Sequence, residues 1–178
     1  MATHSKSSES HCRLNLRKKQ LILDTTICID LFNGRILEKV KDLPYGLTVP
    51  DVIAEELINP SGNHLIKAGF STLGSQGEVI EQISALRERY PKPSINDLFS
   101  LTLAKVHSSI LVTGDDALRR AAKNEGIPVH GVFWILDKLV RYGILKPRQA
   151  AEALENILAE GSWLPKYECG LGLKKWRR

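Results

Sequence analysis

Four acidic side chains stand where apolar segments of this 178-residue chain end or begin, and their chemistry suggests a metal site. Three of them follow short apolar runs, and the fourth opens an apolar helix-like segment. They are Asp24, Glu56, Asp97 and Asp115. Carboxylate oxygens are the ligands that hard cations prefer, so a cluster of these residues predicts bound Mg²⁺ or Mn²⁺. The alternative for each acid is an ordinary structural role, such as capping a helix.

Asp24 ends a predicted strand at residues 20–24. In open parallel sheets, ligands bind at the carboxyl ends of the strands, which favours a functional role for this acid. It can also be the N-cap of the following helix, although Thr25 or Thr26 offers a hydroxyl for that task.

Glu56 belongs to a predicted helix at residues 51–58. At 100° per residue it falls near the centre of the apolar face, whereas Glu55 points away from that face. An inward carboxylate is costly unless it is paired, hydrogen-bonded or bound to a metal. The alternative is that this edge of the helix is exposed to solvent.

Helix capping also explains the remaining acids. Asp97 fits the last place of a capping box that begins three residues earlier, and Asp115 fits an N-cap. Asp116 fits a first helical turn, where a negative charge suits the helix dipole, and it can pair with Arg119 or Arg120. Each position taken alone is therefore ambiguous, and the set of four is what indicates a site.

Other catalytic signatures are missing from the sequence. It contains no GxxxxGK[ST], GxGxxG, HExxH or GxSxG motif. His64, His107 and His130 lack the spacing of metal ligands, and the three cysteines form no CxxC pair. What remains is a carboxylate cluster without imidazole or thiolate.

The elements that must position these acids alternate along the chain. Short apolar strands followed by helices predict βαβ units and an α/β fold, in which helices cover both faces of a parallel sheet of four to five strands. We expect strands at 20–24, 46–50, around 70–73, 110–113 and 128–130. We expect helices at 25–33, 51–58, 77–90, 95–107, 116–125, 132–142 and 147–160.

Positive charge is concentrated at the two ends. Residues 1–19 and 166–178 each have five Lys or Arg against one Glu, and the whole chain is +5, so residues 20–165 are at −3. Basic ends suit a polyanion such as nucleic acid, or they only aid solubility. Trp163 and Trp176 can stack on bases or pack the C-terminal segment onto the body.

From about residue 20 to 146 the chain resembles the PIN domain, the nuclease fold of VapC-type toxins. The segments that carry the resemblance, in this order and spacing, are "LILDTTICIDLF", "VPDVIAEEL", "INDLFSLTLAKVHSSILVTGDDALRRAAKNEGIPVHG" and "GVFWILDKLVRYGIL". The resemblance implies a three-layer α/β/α sandwich over residues 20–146. A flexible basic arm at 1–19 would precede it, and a C-terminal helix with a basic tail at 147–178 would follow.

The resemblance also implies roles for single residues. The four family acids match Asp24, Glu56, Asp97 and Asp115; Asp116 is an auxiliary metal ligand, and Thr25 and Thr113 are supporting hydroxyls. One departure is Ala117, where the family often has a further acid. Candidates for RNA binding are Arg119, Arg120, Lys174, Lys175, Arg177 and Arg178.

The function implied is a Mg²⁺- or Mn²⁺-dependent endoribonuclease that cleaves single-stranded RNA, as the toxin of a toxin–antitoxin pair. Its partners would be RNA, an antitoxin protein and further copies of the chain. One alternative is a non-catalytic PIN-like module that binds RNA or protein, and another is a nuclease directed at DNA. No apolar run approaches the ~20 residues of a membrane span, and no secretory signal is apparent, so we expect a cytoplasmic protein without membrane contact.

Overall fold

A computed structural model describes residues 18–74 and 77–177, with the exception of the side chain of residue 78. Most of the predicted basic arm, residues 1–17, and the terminal Arg178 lie outside these ranges. Five strands form one sheet: β1 (Gln20–Leu23), β2 (Gly46–Pro50), β3 (Ser71–Leu73), β4 (Ile110–Val112) and β5 (Val129–His130).

All neighbouring strands of the sheet are parallel, in the order β3-β2-β1-β4-β5. The central β1 pairs Leu21 with Leu47 of β2 on one side and with Ile110 of β4 on the other. Strands β2 and β3 are thus added on one side of β1, and β4 and β5 are added on the other side. Such a reversal of strand order leaves a crevice at the carboxyl ends of the two strands between which it occurs.

Helices cover both faces of the sheet, as expected for an α/β/α sandwich. Those of the described residues are α1 (Thr25–Asn33), α2 (Leu37–Val40), α3 (Asp51–Glu56), α4 (Gly62–Lys67), α5 (Gly77–Arg89), α6 (Ile95–Val106), α7 (Asp116–Asn124), α8 (Val132–Arg141), α9 (Pro147–Ala159) and α10 (Lys166–Trp176).

Strand side chains alternate between two apolar cores, one on each face. On β1, Leu21 and Leu23 join the core shared with α1, α8 and α9, whereas Ile22 joins the core shared with α5, α6 and α7. Leu111 of β4 follows Ile22 into the second core. Because both faces of the strands are buried, the strands consist of nearly continuous apolar residues. The sequence prediction of the fold class is confirmed.

The C-terminal segment differs from its prediction, because the residues expected to form a basic tail form α10. Cys169 and Trp176 of this helix are buried in the same core as α1 and α9. The segment "PKYECGLGLKKW" contains a proline and two glycines, which lower its intrinsic helix propensity. The helix forms nevertheless, because it packs against α9.

Over the described ranges, none of the helices combines the length and the apolar character that a membrane crossing requires.

Candidate active site

The crevice between β1 and β4 contains the most deeply buried acid of the predicted set. Asp24 directly follows β1, and Thr113 directly follows β4, so the two residues lie side by side at the carboxyl edge of the sheet. The Asp24 side chain is only 1% exposed to solvent. The topology therefore delivers a carboxylate to the place where open α/β sheets bind their ligands.

Three donors hold the Asp24 carboxylate. The backbone N–H of Ile27 donates to its Oδ1 at 2.9 Å, which makes Asp24 the N-cap of α1. The Thr26 hydroxyl lies 2.9 Å and 3.1 Å from the two carboxylate oxygens, and the Thr113 hydroxyl donates to Oδ2. Because a carboxylate offers about four acceptor positions, three donors leave one of them for a further partner.

The turn after β4 orients both of these hydroxyls. The backbone N–H of Gly114 donates to Thr26 Oγ1 at 3.2 Å, and the N–H of Asp115 donates to Thr113 Oγ1 at 3.0 Å. With their oxygens occupied as acceptors, both threonines turn their own protons toward Asp24. A Cβ at Gly114 would lie 3.0 Å from Thr26 Oγ1, so glycine is what allows this close approach.

Burial raises the pKa of Asp24 to about 6 from an ordinary value of 3.8. The hydrogen bonds from Thr113, Ile27 and Thr26 lower the pKa, and the negative charge of Asp97 raises it. Among the described residues, no Lys, Arg or His forms an ion pair with this carboxylate. A buried carboxylate without a compensating positive charge is costly, and a cation would remove that cost.

The first turn of α6 contains Asp97 and also holds the side chain of Glu56. Asp97 Oδ2 accepts a hydrogen bond from the N–H of Ser94 at 2.8 Å, and its own N–H donates to Ser94 Oγ at 3.1 Å. The predicted capping box is thus present. One residue away, the side-chain amide of Asn96 donates to Glu56 Oε2 at 2.5 Å and so connects α3 to α6. The negative charge of Asp97 acts on the pKa of Asp24, so Asp97 lies on the side of α6 near that carboxylate.

The prediction that Glu56 points into the core is wrong, because Glu55 and Glu56 are both exposed. A helix that continued to residue 58 would turn Glu56 toward the core. The helix α3 instead ends at Glu56, and Leu57 is extended. The carboxylate of Glu56 therefore lies on the surface that joins α3 to the start of α6.

Asp115 and Asp116 differ in what they contact. Asp115 Oδ1 accepts from the N–H of Leu118 at 2.6 Å and caps α7, as its N-cap pattern predicted. Asp116 is exposed and forms no ion pair with Arg119 or Arg120. Arg119 turns back instead, and its Nη2 donates to the carbonyl of Thr113 at 2.7 Å.

The described residues supply the right donor atoms for a hard cation, although their side chains are not gathered around one. No group of three or more His, Cys, Asp or Glu side chains in residues 18–74 and 77–177 is close enough to hold a metal ion. In the same ranges, Asp97 Oδ1 and Asp115 Oδ2 accept no hydrogen bond, because each cap uses only one oxygen. The chemistry of the set fits Mg²⁺ or Mn²⁺.

Two residues that hold these carboxylates, Thr26 and Asn96, were not among the predicted site residues. Thr25 was predicted to support Asp24, but the hydroxyl that reaches this carboxylate belongs to Thr26. The signal was available in "DTT", since a side chain two residues after an N-cap lies over the capping side chain. Among the predicted RNA contacts, Lys175 and Arg177 form ion pairs with Asp137 and Glu155.

The chain was also compared with known proteins. A family model described as a PIN domain matches residues 20–178. The chain therefore belongs to the PIN domain family, and it has the nuclease-type fold of that family. No curated protein matches the chain significantly.

Proposed function

We propose that the chain is a Mg²⁺- or Mn²⁺-dependent endoribonuclease that cleaves single-stranded RNA. The observation that carries the proposal is the Asp24 carboxylate, which is buried at the strand crossover without a cationic partner among the described residues. Membership of a family with a nuclease-type fold supports the same conclusion.

The acids have distinct tasks in this proposal. Asp24, Glu56, Asp97 and Asp115 would hold the cation, with Asp116 as an auxiliary ligand. When bound, the cation would lower the pKa of water and neutralise charge at the scissile phosphate. Thr26 and Thr113 orient the Asp24 carboxylate, and Asn96 orients the carboxylate of Glu56. The capping interactions hold Asp97 and Asp115 by one oxygen and leave the other oxygen for a ligand.

Substitution of Asp24 tests the proposal. We expect Asp24→Asn to lose at least about 100-fold of Mn²⁺-dependent RNA cleavage, because the loss of a ligand removes several kcal/mol of charge stabilisation. The matched control is Asp42→Asn, since Asp42 is exposed and precedes β2, at the opposite edge of the sheet. Cleavage of a fluorescently labelled single strand measures both variants.

Three results would contradict the proposal in different ways. Equal cleavage by Asp24→Asn and wild type would remove Asp24 from the active site. Cleavage of a matched DNA strand in preference to RNA would make the protein a DNA nuclease. RNA binding without cleavage at any Mg²⁺ or Mn²⁺ concentration would favour a non-catalytic binding module.

The biological part of the proposal is a toxin that an antitoxin partner inhibits. Its support is the resemblance of the motif order to VapC-type toxins. Induced expression of the wild-type chain should arrest growth, and expression of Asp24→Asn should not. Growth arrest by both variants would dissociate toxicity from nuclease activity.

A further inference from the structure

A cavity of about 390 Å³ adjoins the proposed cation site. Gly114 and Asp116, on either side of the capping residue Asp115, line one wall of it, and Arg119 and Lys123 continue that wall along α7. The segment between α9 and α10 forms another wall, with Trp163. The volume lies within the roughly 300–1,000 Å³ of small-molecule sites.

Trp163 presents an indole ring to this cavity without a ring partner among the described residues. Its side chain is 84% exposed. The neighbouring Trp134 differs, because its ring stacks on His130 at 4.4 Å and lies 5.0 Å from Lys138 Nζ. An unpaired, exposed aromatic face beside a cleft is what single-stranded nucleic acid uses as a stacking surface.

The loop that carries Trp163 is anchored to the body of the protein. The hydroxyl of Ser162 donates to Asp30 Oδ1 at 2.6 Å, and Asp30 is only 5% exposed. The residue after Trp163, Leu164, packs against the apolar core. Because the adjacent residues are fixed, the ring can be presented to a ligand at a small cost in conformational entropy.

Two cationic side chains, Arg119 and Lys123, line the same cavity as the indole. Arg119 and Lys123 are four residues apart on α7 and therefore share one helix face. Arg119 uses Nη2 to bind the Thr113 carbonyl and retains its other guanidinium donors, and Lys123 forms no ion pair within residues 18–74 and 77–177. A Cβ at Gly131 would lie 2.7 Å from Arg119 Nη2, so glycine makes room for the guanidinium.

We propose that this cavity is a nucleotide subsite of the nuclease. A base next to the scissile phosphate stacks on Trp163, and Arg119 and Lys123 bind the adjoining phosphates. Three carboxylates also line the cavity: Asp30 accepts the hydrogen bond from Ser162, whereas Asp116 and Glu168 are exposed to solvent, which screens their charge. The inference rests on the proposed function and adds a reason for a single-stranded substrate, since a base held in a duplex cannot turn onto the indole.

The test compares two RNA single strands of equal length in EDTA, where cleavage is stopped. One strand has all its bases, and the other has the same phosphates with abasic positions. We expect the wild-type full chain to bind the complete strand about tenfold more tightly, and Trp163→Ala to bind both strands equally. The control is Tyr167→Ala, which removes another exposed aromatic side chain, at 77%, that does not line the cavity.

A second variant separates charge from stacking. We expect Lys123→Ala to reduce the slope of log affinity against log salt by about 1, and to leave the tenfold preference for the complete strand unchanged.

The outcomes that overturn the inference are distinct from those that overturn the proposed function. A tenfold preference that survives in Trp163→Ala, or wild type that binds neither strand in EDTA, overturns the subsite. If light scattering gives Trp163→Ala a lower mass than wild type, and its preference for the complete strand is unchanged, the indole belongs to a contact between copies of the chain. Absence of Mn²⁺-dependent RNA cleavage by the wild type overturns the proposed function itself.

Discussion

Asp24 shows that one carboxylate can cap a helix and at the same time accept hydrogen bonds from a distant part of the chain. Its Oδ1 caps α1 by accepting a hydrogen bond from the N–H of Ile27. Its Oδ2 accepts a hydrogen bond from the hydroxyl of Thr113, at the end of the adjacent strand β4. Asp97 and Asp115 likewise cap their helices through one oxygen. A cap fixes the direction of a carboxylate, and a carboxylate with a fixed direction is a better preorganised ligand than a freely rotating one.

The raised pKa of Asp24 predicts how the stability of the metal-free protein changes with pH. Below about pH 4 the group is protonated in the folded and the unfolded chain alike, and its burial costs little. Between about pH 4 and pH 6 the unfolded chain ionises this group, whereas the folded chain keeps it protonated, so stability falls over this window and levels off above it. With a folded pKa of about 6 against 3.8, stability should fall by roughly 2–3 kcal/mol between pH 4 and pH 8.

Asp24→Asn should remove this loss, because the amide does not ionise. Urea unfolding in EDTA across the same pH range measures it: the stability of the variant relative to wild type should rise with pH. Asp42→Asn, at an exposed carboxylate, should keep the wild-type pH dependence. Parallel curves for Asp24→Asn and wild type would contradict the assigned pKa.

At the scale of elements, the positions of the acids depend on how short helices pack. The two short helices α3 and α4 contact each other at Gly62, where an added Cβ would collide with the carbonyl oxygen of Ala54. Ala54 is two residues before Glu56, so this contact lies in the last turn of α3, next to the acid. Asn96 at the start of α6 then fixes the Glu56 carboxylate.

Gly62→Ala should therefore destabilise the protein by about 1–3 kcal/mol and reduce cleavage, because an obstructing backbone atom forces α3 and α4 apart. The matched control is Gly170→Ala in α10, where an added Cβ meets nothing within 4 Å. That substitution should instead stabilise the chain by about 0.5–1 kcal/mol. Chemical denaturation compares the two variants, and equal effects would contradict the packing of α3 on α4.

At the scale of the whole molecule, the C-terminal segment is part of the folded body. Asp137 of α8 accepts hydrogen bonds from Lys175 Nζ at 2.7 Å and from Trp176 Nε1 at 3.2 Å. The Trp176 side chain is buried, and Arg177 pairs with Glu155 of α9. Of the basic residues in this segment, Lys174 and Lys166 are exposed without an ion pair among the described residues.

Deletion of residues 166–178 should therefore lower stability, and not only RNA affinity. Removal of Trp176 alone is expected to cost about 3–5 kcal/mol, which lowers the Tm measurably. Lys174→Gln removes a charge without disturbing the core, so it should leave the Tm unchanged and isolate any electrostatic effect on RNA binding. An unchanged Tm after the deletion would contradict the packing of α10 in the core.

The fold and the helix caps followed from the sequence because both leave local signals. Apolar runs of four or five residues alternating with helical periodicity specify a parallel sheet covered on two faces. The turn chemistry of "DTT", "SIND" and "TGDD" marks the starts of three helices, and all three predicted caps or capping boxes are present. These interactions lie within three residues along the chain, so local sequence is sufficient to predict them.

Tertiary structure decided the features that depend on residues far apart in the chain. The pairing of β1 with β4 brings Thr113 to Asp24, 89 residues away, and it also brings the N–H of Gly114 to the hydroxyl of Thr26. Packing on α9 converts an apparent tail into a helix, and it buries Trp176 while Trp163 stays exposed. Local propensity contains no information on such contacts, because their free energy comes from burial and hydrogen bonds between segments that only the folded chain brings together.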